Sequence, residues 1–129
     1  LVRHLLHPDV GAVSGELVFG THRNRKSISS IYWSMEKWLR KSESRLNSVI
    51  GCTGAIYAVK KFYCPISIPT DTLLDDVVIP MNILMSGKRV IYDSSAIAFD
   101  PLIPSPSHEF KRKVRTLAGN YQILFTSLY

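Results

Sequence analysis

Strand-like and helix-like segments alternate along this sequence, and that alternation predicts an α/β layer architecture. Three observations carry the prediction. A strand-like run reaches from Gly11 to Phe19, an apolar stripe recurs at three- and four-residue steps from Ile31 to Leu46, and an apolar segment opens behind the carboxylates Asp75 and Asp76. With 129 residues, 46% of them hydrophobic and 20% charged, the chain fits one domain with a buried core, and it contains no internal repeat.

Taken in order, Leu1 to His7 read as the end of a helix closed by Pro8-Asp9, and Gly20 ends the strand that follows. The polar, basic segment His22 to Lys26 reads as a loop. Ser29 or Ser30 caps the next helix, with Ile31, Met35, Trp38, Leu39, Ser42 and Leu46 on one face. That face has two readings, a surface packed against the domain or, with Tyr32, Trp33 and Trp38, a membrane-interface surface; packing is the commoner use of such a pattern. Ala55 to Val59 form a strand after the turn Gly51-Cys52-Thr53-Gly54, and Pro65 and Pro69 mark an irregular loop. The helix behind Asp75-Asp76 starts near Asp76, which puts Pro80 in its first turn, and Gly87 ends it. Arg89 to Tyr92 and Ala96 to Phe99 are extended, Pro101, Pro104 and Pro106 make a stiff linker, and a last helix runs from about Ser107 to beyond Leu124.

The formal charge of +6 points to an anionic partner: a nucleotide phosphate, a nucleic acid or an acidic lipid surface. Cys52 and Cys64 are too few for a disulfide scaffold and lack zinc-site spacing, so both read as reduced thiols of a cytosol-facing chain. No apolar stretch reaches the roughly 18 to 20 residues that span a bilayer, and no signal peptide is present, so these segments are expected to be soluble. The start without Met and the ending in mid-pattern predict a piece of a longer chain.

Asp75 and Asp76 have two readings. An Asp at a helix start accepts hydrogen bonds from free N–H groups and favours the positive end of the dipole. The glycine turn upstream and the cationic run His108 to Arg115 downstream favour the other reading, in which one carboxylate is a general base. The glycines of the turn permit φ > 0 and close backbone approach to a ligand, or simply lead the chain into a strand. Trp38 and Tyr57 can face a sugar or pack in the core, and His108 can complete a metal shell or lie on the surface.

Val10-Gly11-Ala12-Val13-Ser14-Gly15, Tyr32-Trp33 with Glu36-Lys37, Gly54-Ala55-Ile56-Tyr57-Ala58, Leu74-Asp75-Asp76 and Lys113 to Asn120 together resemble family 2 glycosyltransferases. The similarity is to bacterial, membrane-associated enzymes of polysaccharide biosynthesis, the cellulose, chitin and hyaluronan synthase branch. It implies a partial GT-A domain, a mixed sheet flanked by helices, with residues 1–129 as its acceptor-side half. The nucleotide-binding strands and the Asp-x-Asp that holds a divalent Mg or Mn ion would precede Leu1, so the resemblance places no metal ligand in this chain and implies that alone it is inactive.

On matching positions, the resemblance makes Asp76 the base, Asp75 its support, and Gly51, Thr53 and Gly54 the lining of an acceptor pocket. Arg112 and Arg115 would neutralise the departing diphosphate, or else form a solvated basic face. Arg112 and Thr116 stand where the family carries Gln and Trp, so single-sugar or short-chain transfer is as well supported as polymer synthesis. The implied partners are a nucleotide-sugar donor, a carbohydrate or lipid-linked acceptor, the cytoplasmic face of a membrane reached through the parent protein, and a second copy paired at an exposed sheet edge. The competing classes are a nucleic-acid-binding module, which Asp71, Asp75 and Asp76 oppose, and a membrane-interface module without catalysis.

Overall fold

The computed structural model describes residues 1–19, 28–64, 68–100 and 105–126, with only the backbone described for residues 19, 28–33, 109 and 126. The expected loop from His22 to Lys26, Pro65, Pro101 and Pro104 lie outside the described residues, as do the side chains of Ile31, Tyr32 and Trp33. What is described is a mixed α/β unit whose three-stranded sheet has helices packed on it.

Strand β1, Val10–Phe19, is central. Its first half from Val10 to Gly15 is buried on both faces, which is why it reads as a run of small and apolar residues without polar alternation. Strand β2, Tyr57–Val59, pairs with it antiparallel and β3, Arg89–Asp100, pairs parallel, giving the order β2-β1-β3. The two extended segments expected separately are thus one strand with a bulge. Ser14 pairs with Tyr92 and Glu16 with Ile97, so Asp93 to Ala96 stand opposite Gly15 alone. Ser95 folds the bulge by donating its amide and hydroxyl to Asp93 Oδ1, at 3.0 and 2.6 Å. The bulge crowds β1: a Cβ on Gly15 would lie 2.5 Å from the Ala96 carbonyl oxygen and 2.8 Å from Ile56 Cγ2.

Before β1 the chain makes a 3-10 helix over Val2–Leu6 instead of the α-helix end expected there, closed by i to i+3 bonds such as His7 N–H to His4 O at 3.2 Å. Helix α1 spans Ile28–Leu46, so Ser29 and Ser30 lie inside it and do not cap it. Helix α2, Asp75–Met85, buries Ile79, Pro80 and Ile83, and Ile79 and Ile83 join Ala12, Val49, Cys52 and Val90 in the core. It ends on Gly87 at φ 76°, where Gly87 N–H reaches Leu84 O and Lys88 N–H reaches Ile83 O, at 2.9 and 3.1 Å.

The apolar stripe of α1 is not a core face. Met35, Trp38, Leu39 and Leu46 are exposed, because the opposite, polar side of the helix is the one that docks. Ser44 Oγ accepts the Tyr92 amide at 2.9 Å, and just past the helix Ser48 Oγ accepts the Val90 amide at 3.1 Å. The Arg89 guanidinium donates to the carbonyls of Asn47 and Ser44, and Lys37 pairs with Glu16. These bonds satisfy outward-pointing N–H groups of edge strand β3, so pairing of a second copy along Val90 to Tyr92 is blocked.

Helix α3, Pro106–Thr126, is capped by Ser105, whose Oγ accepts the His108 amide at 3.3 Å. Pro106 is therefore its first residue and not linker. Gln122 clamps α3 to the loop before α2, accepting the Leu73 amide at 3.0 Å and donating to Asp71 O at 2.8 Å. Among the described residues no helix is long and apolar enough to cross a membrane.

Gly15→Ala forces the Ala96 carbonyl and Ile56 apart and is expected to destabilise the fold by about 1 to 3 kcal/mol. Urea denaturation checks this, and an unchanged midpoint would show that the bulge yields freely.

Candidate active site

The N-cap of α2 is Leu74, which makes no side-chain cap, and Asp75 and Asp76 are the acidic residues of the first turn. Neither Asp is the N-cap residue; both carboxylates sit in the first turn at the positive helix end, and that of Asp76 accepts its own backbone N–H. Pro80 lies inside the helix, beyond the first turn in which it was expected. Having no N–H, it leaves the Asp76 carbonyl without its i+4 donor. The Cys52 amide takes that place, donating to Asp76 O at 2.9 Å.

This bond lays the turn Gly51 to Gly54 along the start of α2. Gly51 stands against Val77, where a Cβ would meet Cγ2 at 3.4 Å. The Thr53 amide donates to Ser14 Oγ at 2.9 Å, and that buried hydroxyl donates to Gly15 O at 3.2 Å, so the turn is anchored to β1 as well. Gly54 faces the Asp76 carboxylate, and a Cβ there would lie 3.0 Å from Oδ2. Close approach is what the glycine supplies. Neither Gly51 nor Gly54 uses φ > 0, which among the described residues occurs at Gly87 alone.

Asp76 is half-buried, and burial raises its carboxyl above the ordinary carboxylate range; the Asp75 charge raises it further. Its own backbone N–H, Arg115 and Arg40 pull in the other direction. Tyr57, which packs against the core as one of its two readings had it, has its hydroxyl pushed up by burial and then by Asp75, Cys52 and Asp76. The buried Cys52 thiol is pushed up to about 12, mainly by desolvation, and is thus a neutral packing group at ordinary pH. Both Cys52 and Cys64 are free.

Beside the turn, a cleft of about 230 Å³ runs between α1 and the chain leading into Gly51, lined by Glu36, Leu39, Arg40, Glu43, Val49 and Ile50. Arg40 donates to Glu36 at 3.2 Å on its wall. Of the residues expected to act together, Asp75, Asp76, Gly51, Thr53 and Gly54 do form one surface. Arg115 joins them, donating to Leu73 O at 3.0 Å beside the helix start. Arg112 is exposed one helical turn earlier, and its carbonyl accepts the Thr116 hydroxyl at 2.9 Å. Trp38 is 67% exposed on α1, so of its two readings core packing does not hold, and His108 is exposed in the first turn of α3.

Ser14 and Arg40 were missed in the sequence. Ser14 had a faint signal, a lone hydroxyl within a buried strand; Arg40 had none, because its place beside the turn is set by how α1 docks. Among the described residues no three His, Cys, Asp or Glu side chains come together, and the ligands of the metal that the resemblance implies would lie outside this chain.

Since its folded value is raised, the stability Asp76 contributes is full below the ordinary range near 3.8 and is lost as pH rises through the folded value. Asp76→Asn should remove that loss, leaving Tm at pH 7 equal to or above that of the parent; an equally steep pH slope in the variant would refute the raised value. Pro80→Ala restores an N–H that competes for the Asp76 carbonyl. Hydrogen exchange at the Cys52 amide should then accelerate by up to about tenfold, and unchanged protection would show that Pro80 does not hold the turn.

No family model, no curated protein and no solved structure matches this chain.

Proposed function

We propose that the chain is the acceptor-side part of a GT-A glycosyltransferase domain and that Asp76 is the general base of an inverting sugar transfer. The observation that carries this is the half-buried Asp76 carboxylate at the start of α2, raised in affinity for a proton and facing a glycine that leaves room beside it. An acceptor hydroxyl placed against Gly54 gives its proton to Asp76 Oδ2 as its oxygen bonds to the anomeric carbon of the donor. The bond from that carbon to the nucleotide diphosphate breaks on the opposite face, and the electron pair leaves with the diphosphate. A carboxylate whose proton affinity is raised toward the working pH takes the proton more readily than an ordinary one.

Arg115, close enough to lower the Asp76 carboxyl, supplies positive charge for the leaving diphosphate, with Arg112 on the same helix. The cleft beside Gly51 offers Glu36, Arg40 and Glu43 to acceptor hydroxyls and Leu39, Val49 and Ile50 to a sugar's apolar face. Donor and divalent metal belong to the rest of the domain, and the whole works at the cytoplasmic face of a membrane.

Two measurements test this. In NMR titration with short oligosaccharides, the Thr53 and Gly54 amides should shift and Gly54→Val should abolish the response; amides unmoved at millimolar sugar would remove the acceptor assignment. In the transferase that carries this segment, Asp76→Asn should keep acceptor binding and lose about 10² to 10⁴ in turnover. Unchanged turnover would end the role of Asp76.

A further inference from the structure

Helix α2 carries Asp75 and Asp76 in its first turn but has no cap of its own, since Leu74 at its N-cap offers no side-chain acceptor. What holds the chain entering it comes from α3. Gln122 grips the loop with both ends of its amide, Oε1 accepting the Leu73 amide at 3.0 Å and Nε2 donating to Asp71 O at 2.8 Å, and Arg115 donates to Leu73 O at 3.0 Å. Between them Gly119 lies against Leu74, where a Cβ would stand 2.4 Å from Cγ and 2.6 Å from Cδ1. Arg115, Gly119 and Gln122 follow at four- and three-residue steps, so one face of α3 makes all of these contacts.

Among the described residues of α3, Gly119 is the buried one and Gln122 and Ile123 are half-buried, while the opposite, apolar stripe of Phe110, Val114, Leu117, Tyr121 and Leu124 is exposed. The helix is thus seated on the loop from Asp71 to Leu74, and that loop leads directly into Asp75. Only Leu74 and Asp75 separate Leu73 from Asp76, so a shift of Leu73 is passed on to the Asp76 carboxylate. From its other side the start of α2 is held by the Cys52 amide on Asp76 O. Asp76 therefore stands between two anchors, one from the glycine turn and one from α3, and both are needed to keep its carboxylate against Gly54.

We propose that Gln122 and Gly119 are positioning residues for Asp76, setting its carboxylate against Gly54 through the loop from Asp71 to Leu74, so that the seating of α3 controls the site. This rests on the glycosyl-transfer reading for its effect on turnover, while the placement of Asp76 is measured without it.

Carbon-detected NMR of the Asp76 carboxyl over a pH series, in the 129-residue chain, reads that placement. The groups whose charges reach this carboxyl are Asp75 on its own helix, Arg115 on α3, Arg40 on α1, Cys52 in the turn and Tyr57 on β2, and burial is the largest cause of its raised value. Unseating α3 admits water, so Gln122→Met, which removes both hydrogen bonds and keeps the bulk, should bring the titration midpoint down toward the ordinary range, as should Gly119→Ala, which pushes on Leu74. Ser95→Ala, which loses a hydrogen bond at the distant bulge, should leave the midpoint where it is. A midpoint unmoved in both α3 variants would overturn the proposal, and so would an equal movement in Ser95→Ala, which would make the effect one of general loosening. In the transferase that carries this segment, Gln122→Met should lower kcat about ten- to a hundredfold with the acceptor KM held within about twofold. Loss of turnover in Asp76→Asn beside full turnover in Gln122→Met would overturn this proposal alone. Unchanged turnover in Asp76→Asn with a moved midpoint would end the transfer reading and keep the placement.

Discussion

The bond from the Cys52 amide to the Asp76 carbonyl holds this structure's site together, and a proline makes it possible. In an uninterrupted helix that carbonyl would be spent on the residue four positions on. Pro80 has no N–H to offer, so the carbonyl stays open at the buried side of α2 and the turn after α1 closes on it. One missing donor thus fixes the distance between the glycine turn and the first turn of the helix. The Ser14 hydroxyl, receiving the Thr53 amide, fixes the other end of the same turn to the central strand. Strand, turn and helix then share one rigid corner, and Asp76 stands in it.

That corner sets a conflict between stability and chemistry. Burial and Asp75 both resist the charge on Asp76, while Arg115 and Arg40 relieve it only in part. A residue chosen for stability would not be a carboxylate in this place. The cost is tolerable because helix α2 is held by its apolar side, through Ile79, Pro80 and Ile83, and does not depend on its acidic start. Cys52, in the same corner, is kept as a neutral thiol by its burial, and Asp76 is the carboxylate that faces Gly54.

The long helices follow one rule: each is attached through its polar side. Serines beside β3 cap that strand's outward amides, and Gln122 and Arg115 bind backbone ahead of α2. Hydrogen bonds to otherwise unpaired backbone groups orient these helices more strongly than burial of their apolar stripes, since an unmet buried amide costs more than an exposed Leu. Both helices were legible in the sequence as helices, and the direction each faces was not. Periodicity reports that a helix has an apolar side, and it carries no information on whether the molecule or something else receives that side.

Much of the fold and part of the site can be read from residues alone. The strand at Val10, the turn before β2, the helix behind Asp75-Asp76 and its end at Gly87 follow from local pattern, because glycine, proline and apolar spacing act within a few residues of themselves. The nearness of Asp76 to the glycine turn was guessed from sequence company, and tertiary structure gave it a mechanism in the open carbonyl ahead of Pro80. Arg40, the Ser14 anchor, the merging of two extended segments across the Asp93 bulge, and the outward stripe of α3 were decided only by packing. Each depends on a partner 39 or more positions away, as Ser14 does on Thr53, or on which of two helix faces finds unpaired backbone to bind. Such choices are made between segments, where the chemistry of neither segment alone contains the answer.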